Sequence, residues 1–182
     1  MMYSRLIKIV IATAFLAGGV AAQCDDGEGT DLLCYSEPGG VPQDVTVADI
    51  QYVASYLRAY GAQTKAGRQF TMTAADAPGC SEWTLYAHGT VLVLGKHLDS
   101  TVNSSVLFSD IANTIDGGVG ATPAQQAAAL IGCSTAGGSL GVVYNASNAQ
   151  YNTADYLAKS YTPSGILVKI VSSSPQLAAS VL

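Results

Sequence analysis

Positive charge is scarce in this 182-residue chain: eight lysines and arginines stand against thirteen acidic residues, and charged residues of all kinds make up 12%. No basic cluster occurs, which excludes a charge-driven grip on phosphate backbones and so on nucleic acid. No Cys-x-x-Cys and no cysteine–histidine spacing occurs, so neither redox catalysis nor structural zinc is indicated. A Gly-x-Ser-x-Gly elbow is missing. The glycine pairs Gly117-Gly118 and Gly137-Gly138 lack the lysine and serine/threonine, or the strand–glycine–helix context, of a phosphate loop. There is no internal repeat. These gaps leave no cofactor or metal to expect.

Long apolar runs are missing as well, apart from one at the start. Arg5 and Lys8 precede a short apolar core over residues 9–16, and Val20-Ala21-Ala22 supplies small residues at a cleavage position. That pattern predicts a secretory signal peptide over residues 1–22, too short for a membrane span. Cleavage removes two basic residues and no acid, leaving six basic against thirteen acidic residues, a balance of −7. Residues 23–45 form an acidic, loop-rich segment bearing Asp25, Asp26, Glu28, Asp31 and Glu37 without the ligand spacing of a calcium loop. At the other end, residues 173–182 read as a tail that lacks the spacer and hydrophobic length of a lipid-anchor signal. A single domain over residues 46–172 remains.

Four cysteines stay in the mature chain, Cys24, Cys34, Cys80 and Cys133, and an even count in a secreted protein predicts two disulfides. Three connectivities are open. The favoured one joins Cys24 to Cys34 across a polar, glycine-containing stretch and Cys80 to Cys133. Two sequons, at Asn103 and Asn145, fit a eukaryotic secretory glycoprotein with both sites on the surface.

Thr46 and Asp49 resemble a capping box, and Ile50, Val53, Ala54 and Leu57 follow at helical spacing up to a stop at Gly61. Tyr52, Tyr56 and Tyr60 lie four apart on that helix, in the manner of amphipathic side chains flanking a core face rather than a carbohydrate-binding strip. Residues 68–73 predict a short strand. From Glu82 the pattern alternates, with Trp83, Leu85 and Ala87 on one face and Glu82, Thr84, Tyr86 and His88 on the other. Residues 91–94 read as a central strand more than as a helix. Ser104 or Ser105 is expected to cap a helix that buries Leu107 or Phe108, Ile111, Ala112 and Ile115 and stops at Gly117. Thr122, Pro123 and Gln125 then open a helix through residues 127–131, with a stop at Gly132. Strands are predicted over residues 140–144 and 166–171, separated by a polar, tyrosine-bearing stretch with at most one helical turn.

His88 and His97 are the natural suspects for chemistry, with Asp99, Asp110 and Asp116 near in sequence. His88 precedes a glycine and reads as a turn residue; His97 reads as an element end near solvent. Asp110 and Asp116 are six apart on a helix and point to different sides, which suits a glycosidase pair poorly. No catalytic residue is assigned. Tyrosine, ten times present, offers broad contact area at small conformational cost, and Tyr151 and Tyr156 are the expected partner-binding residues.

The leader, the even cysteines, the Trp83 strand, the helix ending Asp116-Gly117-Gly118, the Cys133 to Gly137-Gly138 step and the strand over residues 165–171 together carry a loose likeness. The chain resembles small secreted cysteine-containing proteins of filamentous fungi, and among them necrosis-inducing-factor and killer-toxin-like effectors, over residues 80–171. It departs from the killer toxins in having fewer cysteines. The resemblance implies an α/β sandwich and host- or competitor-directed activity without catalysis. The fold expected from the pattern itself is α+β, a mainly antiparallel sheet of four or five strands with two or three helices on one face, reinforced by disulfides. The function expected is a secreted, non-enzymatic effector or toxin-like protein that binds a protein or glycan outside the cell. The alternative is a small extracellular hydrolase acting on cell-wall polymers with a histidine base.

Overall fold

The computed structural model describes residues 29–78 and 80–174. The expected leader and most of the C-terminal tail lie outside them. Within the described residues the architecture is α+β. Strands β1 (Leu33–Cys34), β3 (Glu82–His88), β4 (Val91–His97), β6 (Gly138–Gly141) and β8 (Ile166–Ser172) form one antiparallel sheet in the order β1-β6-β8-β4-β3. A smaller sheet holds β2 (Gln69–Met72), β5 (Asn103–Leu107) and β7 (Tyr161–Thr162), with β2 antiparallel and β7 parallel to the central β5.

Helix α1 (Val47–Gly61) buries Ile50, Val53, Ala54 and Leu57, the residues its apolar spacing selects. Helix α2 (Phe108–Asp116) buries Ile111, Ala112 and Ile115 and stops at Gly117, whose φ of 84° is the left-handed conformation glycine adopts without cost. These two helices pack together and meet Val91, Val93, Val168 and Ile170 from one face of the large sheet in a single core. Arg58 of α1 binds Asp116 of α2 at 2.7 Å and so ties the two helices at the surface. Helix α3 (Pro123–Ala127) opens with the predicted capping box of Thr122 and Gln125 but ends after five residues, giving way to a 3-10 stretch, Leu130–Ala136. Helix α4 (Ala154–Ala158) and a 3-10 turn, Ala149–Asn152, fill the polar stretch, which is more structured than its sequence suggests.

Several expectations need correction. Ser104 and Ser105 do not cap α2; they are fully buried residues of β5, and the helix begins at Phe108. The serines sit in the strand because Thr71 and Gln69 of β2 satisfy the Ser105 hydroxyl. The disulfide pairing also differs: Cys34 joins Cys133, with 5.1 Å between Cα atoms. Cys34 pairs with Gly138 in the β1–β6 ladder, which brings it to the chain just upstream of β6. Cys80 is disulfide-bonded too, and the chain's remaining cysteine, Cys24, lies outside the described residues.

Candidate functional site: an aromatic ladder between α1 and β3

Strand β3 is an edge of the large sheet, and its register against β4 slips once, between Thr84 and Tyr86. This bulge decides what the edge presents. Trp83 lies opposite Gly95, and beyond the bulge Tyr86 lies opposite Val93 and His88 opposite Val91. Gly95, Val93 and Val91 share one face of β4, so Trp83, Tyr86 and His88 all point to the helix side, while Ala87 faces outward and is exposed. Strict alternation puts Tyr86 and His88 on the opposite face from Trp83; the extra residue reverses that.

The exposed flank of α1 runs beside this edge. Four helical residues rise about 6 Å, and two strand residues advance about 6.6 Å. The two periods match, so Tyr52 stacks on His88 and Tyr56 stacks on Tyr86, each pair with ring centroids 3.7 Å apart. Burial, together with the neighbouring phenols Tyr52 and Tyr56, raises the Tyr86 pKa. Tyr60 continues the row, parallel to Tyr56 within 8° and 6.3 Å away. Its ring is closed off at that end by the edge of Phe108 and by the Arg68 guanidinium, 4.5 Å above its centroid. Tyr52 and Tyr56 remain 47% and 39% exposed.

Asp49 fixes the other end. It is the capping-box residue of α1: its backbone N–H donates to the Thr46 hydroxyl, which donates to its carboxylate. Aspartate is too short to reach the Thr46 backbone as a glutamate would. The Thr46 N–H donates instead to Thr90, and the Asp49 carboxylate turns to the β3–β4 hairpin, accepting from the Thr90 N–H at 2.9 Å and from its hydroxyl at 2.7 Å. Those Thr90 bonds, then that from Thr46, hold its pKa down at about 2, with His88 a smaller contribution. Gly89, at φ 53°, is required in the hairpin, since a Cβ there would collide with the Asp49 carboxylate. His88 Nε2 lies 3.8 Å from Asp49 Oδ1, on the ring that Tyr52 covers.

The other sequence candidates separate. His97 ends β4 as expected but is fully buried rather than near solvent: Nδ1 lies 2.9 Å from the Ala77 carbonyl and Nε2 3.2 Å from the Ser104 hydroxyl. A carbonyl only accepts, so Nδ1 carries the hydrogen it donates. This serine–histidine contact is sealed from any substrate and stitches the two sheets together. Tyr151 and Tyr156, expected on a gripping surface, are 4% and 3% exposed. The Tyr151 hydroxyl donates to Asp110 at 2.5 Å and accepts from the Leu107 N–H, and the Tyr156 hydroxyl donates to the Ser105 carbonyl. Burial raises the Asp110 pKa, against the lowering effect of the Tyr151 hydrogen bond. The pair of tyrosines is core material because the 149–158 segment folds back onto β5. Asp116 goes to Arg58 and Asp99 to Thr101, so neither joins a histidine in a hydrogen bond.

Among the described residues, four of the surface cavities, each of about 260 to 340 Å³, are lined by neither a histidine nor a residue of the ladder. No helix among the described residues is long and apolar enough to cross a membrane. The chain matches no family model, no curated protein and no solved structure.

Proposed function

We propose that the protein is secreted and acts by binding, as a non-enzymatic effector or toxin-like protein that grips a target outside the cell through the α1–β3 aromatic ladder. The observation that carries this reading is the pair of stacked rungs, Tyr52 on His88 and Tyr56 on Tyr86, held rigid yet exposed. Rings locked in this way present contact area with little rotamer entropy left to lose, which favours association. Two disulfide-bonded cysteines, Cys34 and Cys133, agree with an oxidising compartment. The likeness to small secreted fungal proteins supports the same compartment and the same mode of action.

A second reading rests on one contact, His88 beside Asp49, which is a histidine–carboxylate pair of the kind a hydrolase uses as a base. Against it, the carboxylate is already bonded to Thr90 and Thr46. The two readings part on His88→Phe, which keeps a ring on Tyr52 and removes the base. The purified protein is applied to host and competitor cells, scoring cell death or growth arrest. Binding predicts that His88→Phe retains the response and that Tyr52→Ala with Tyr56→Ala abolishes it in a folded protein. Loss with His88→Phe alone would hand the site to the hydrolase.

A further inference from the structure

Given that the ladder is the binding face, its chemistry selects among occupants. We infer that it takes a neutral, extended polysaccharide, with successive sugar rings laid along Tyr52 and Tyr56. Tyr52 and Tyr56 each give one face to the stack and remain partly exposed, and the outer π face of a tyrosine accepts the C–H face of a pyranose ring. Tyr52 and Tyr56 are one i,i+4 step apart, about 6 Å along the helix, a spacing suited to one sugar ring per rung of an extended chain.

Charge argues for a neutral ligand. The ionised group at the open end is the Asp49 carboxylate, which repels anionic glycans and phosphates. The cation at the far end, Arg68, is committed to the face and hydroxyl of Tyr60. A protein partner fits less well. The exposed aliphatic side chains that would surround an aromatic anchor, Val41, Val119, Val143 and Leu157, belong to other segments of the chain. A strip one ring pair wide also falls short of the roughly 800 Å² that a stable protein interface takes from each partner.

The test is depletion of the full secreted chain from solution by insoluble cellulose, chitin and β-1,3-glucan, each at low and at high salt. Retention on at least one of them, insensitive to salt, is expected. Tyr52→Ala with Tyr56→Ala should weaken it by about tenfold or more, the loss of roughly 1.4 kcal/mol or above. The remote Leu157→Ala should retain it, with circular dichroism confirming that every variant is folded. No retention of the parent chain on any of the three overturns the inference, as does retention that the tyrosine variant shares. If the polysaccharides fail while the tyrosine variant still loses the cellular response, the binding face stands and its occupant is a protein. If the response survives that variant, the binding face itself falls.

Discussion

Asp49 shows how much one short side chain can organise. Its carboxylate accepts from the hydroxyl of Thr46, the N-cap of α1, clasps the β3–β4 hairpin through Thr90 and stands beside His88, so the rigidity of the ladder depends on its charge. Its pKa is lower in the folded state, about 2 against an ordinary 3.8. A depressed carboxylate contributes stability above its unfolded value and loses it as the pH falls. The difference in thermal midpoint between the parent and Asp49→Asn should therefore be constant down to about pH 4 and should close as the pH falls through about 2; a gap that stays open would remove the carboxylate from this role. Asp110 runs the other way. Burial raises its pKa, so its contribution is full below the ordinary carboxylate range and fades as the pH climbs through the raised value. The two sequons also divide at this scale. Asn145 is exposed, its side-chain oxygen accepting only the nearby Ser147 N–H. Asn103 is half buried in β5, with its oxygen on the Ala74 N–H and its amide donating to the Lys159 carbonyl. Expression in a eukaryotic secretory host should yield a glycan at Asn145 and none at Asn103. A mass shift removed by Asn145→Gln and untouched by Asn103→Gln is the expected result.

Among the elements, α1, the stop of α2 and the start of α3 were legible because caps and stops are local chemistry: Thr46, Gly117 and the Thr122–Gln125 box each act within a few residues. Strand β8 was legible too, from its alternation. The face of β3 was not. A bulge is one residue of slippage against β4, and nothing in residues 82–88 announces it, yet it turns Tyr86 and His88 toward α1. The Tyr52, Tyr56 and Tyr60 spacing was visible, so half of the ladder was on the page; its partner half needed the register. Tyr151 and Tyr156 misled because tyrosine is equally at home in a core when its hydroxyl finds an acceptor, and Asp110 and Ser105 lie far off in sequence. The contact between the sheets makes a further prediction. Phe70 of β2 lies against Gly95 of β4 and meets Trp83 edge-on, with centroids 6.2 Å apart. A methyl group at position 95 would displace the Phe70 ring, so Gly95→Ala should cost about 1–3 kcal/mol as overpacking does. Trp83 is the only tryptophan, and its emission should shift with the Phe70 ring. Unchanged stability and emission would mean that Phe70 moves freely.

For the molecule as a whole, the question is what holds the β1 end of the sheet. That edge strand has only two residues, and its pairing with β6 covers Leu33 and Cys34. So short a ladder has little stability of its own. The Cys34–Cys133 bond supplies what the ladder lacks, fixing the edge to the 3-10 stretch that leads into β6. It spans 99 residues, so the chain-entropy argument assigns it about 4.7 kcal/mol. That is a large share of the roughly 5–15 kcal/mol by which a domain is ordinarily stable. The ladder stands at the opposite edge, on β3, beyond β6, β8 and β4. Replacing Cys34 and Cys133 together by serine should therefore lower the unfolding free energy by about 2–5 kcal/mol. In native-state hydrogen exchange the loss should concentrate in β1 and β6 at temperatures where the protein remains folded. Amides of β3 and α1 should keep their protection there, and retention by the target should persist. Equal loss of protection at both edges would mean that the sheet opens as one unit and that the bond supports the binding face directly.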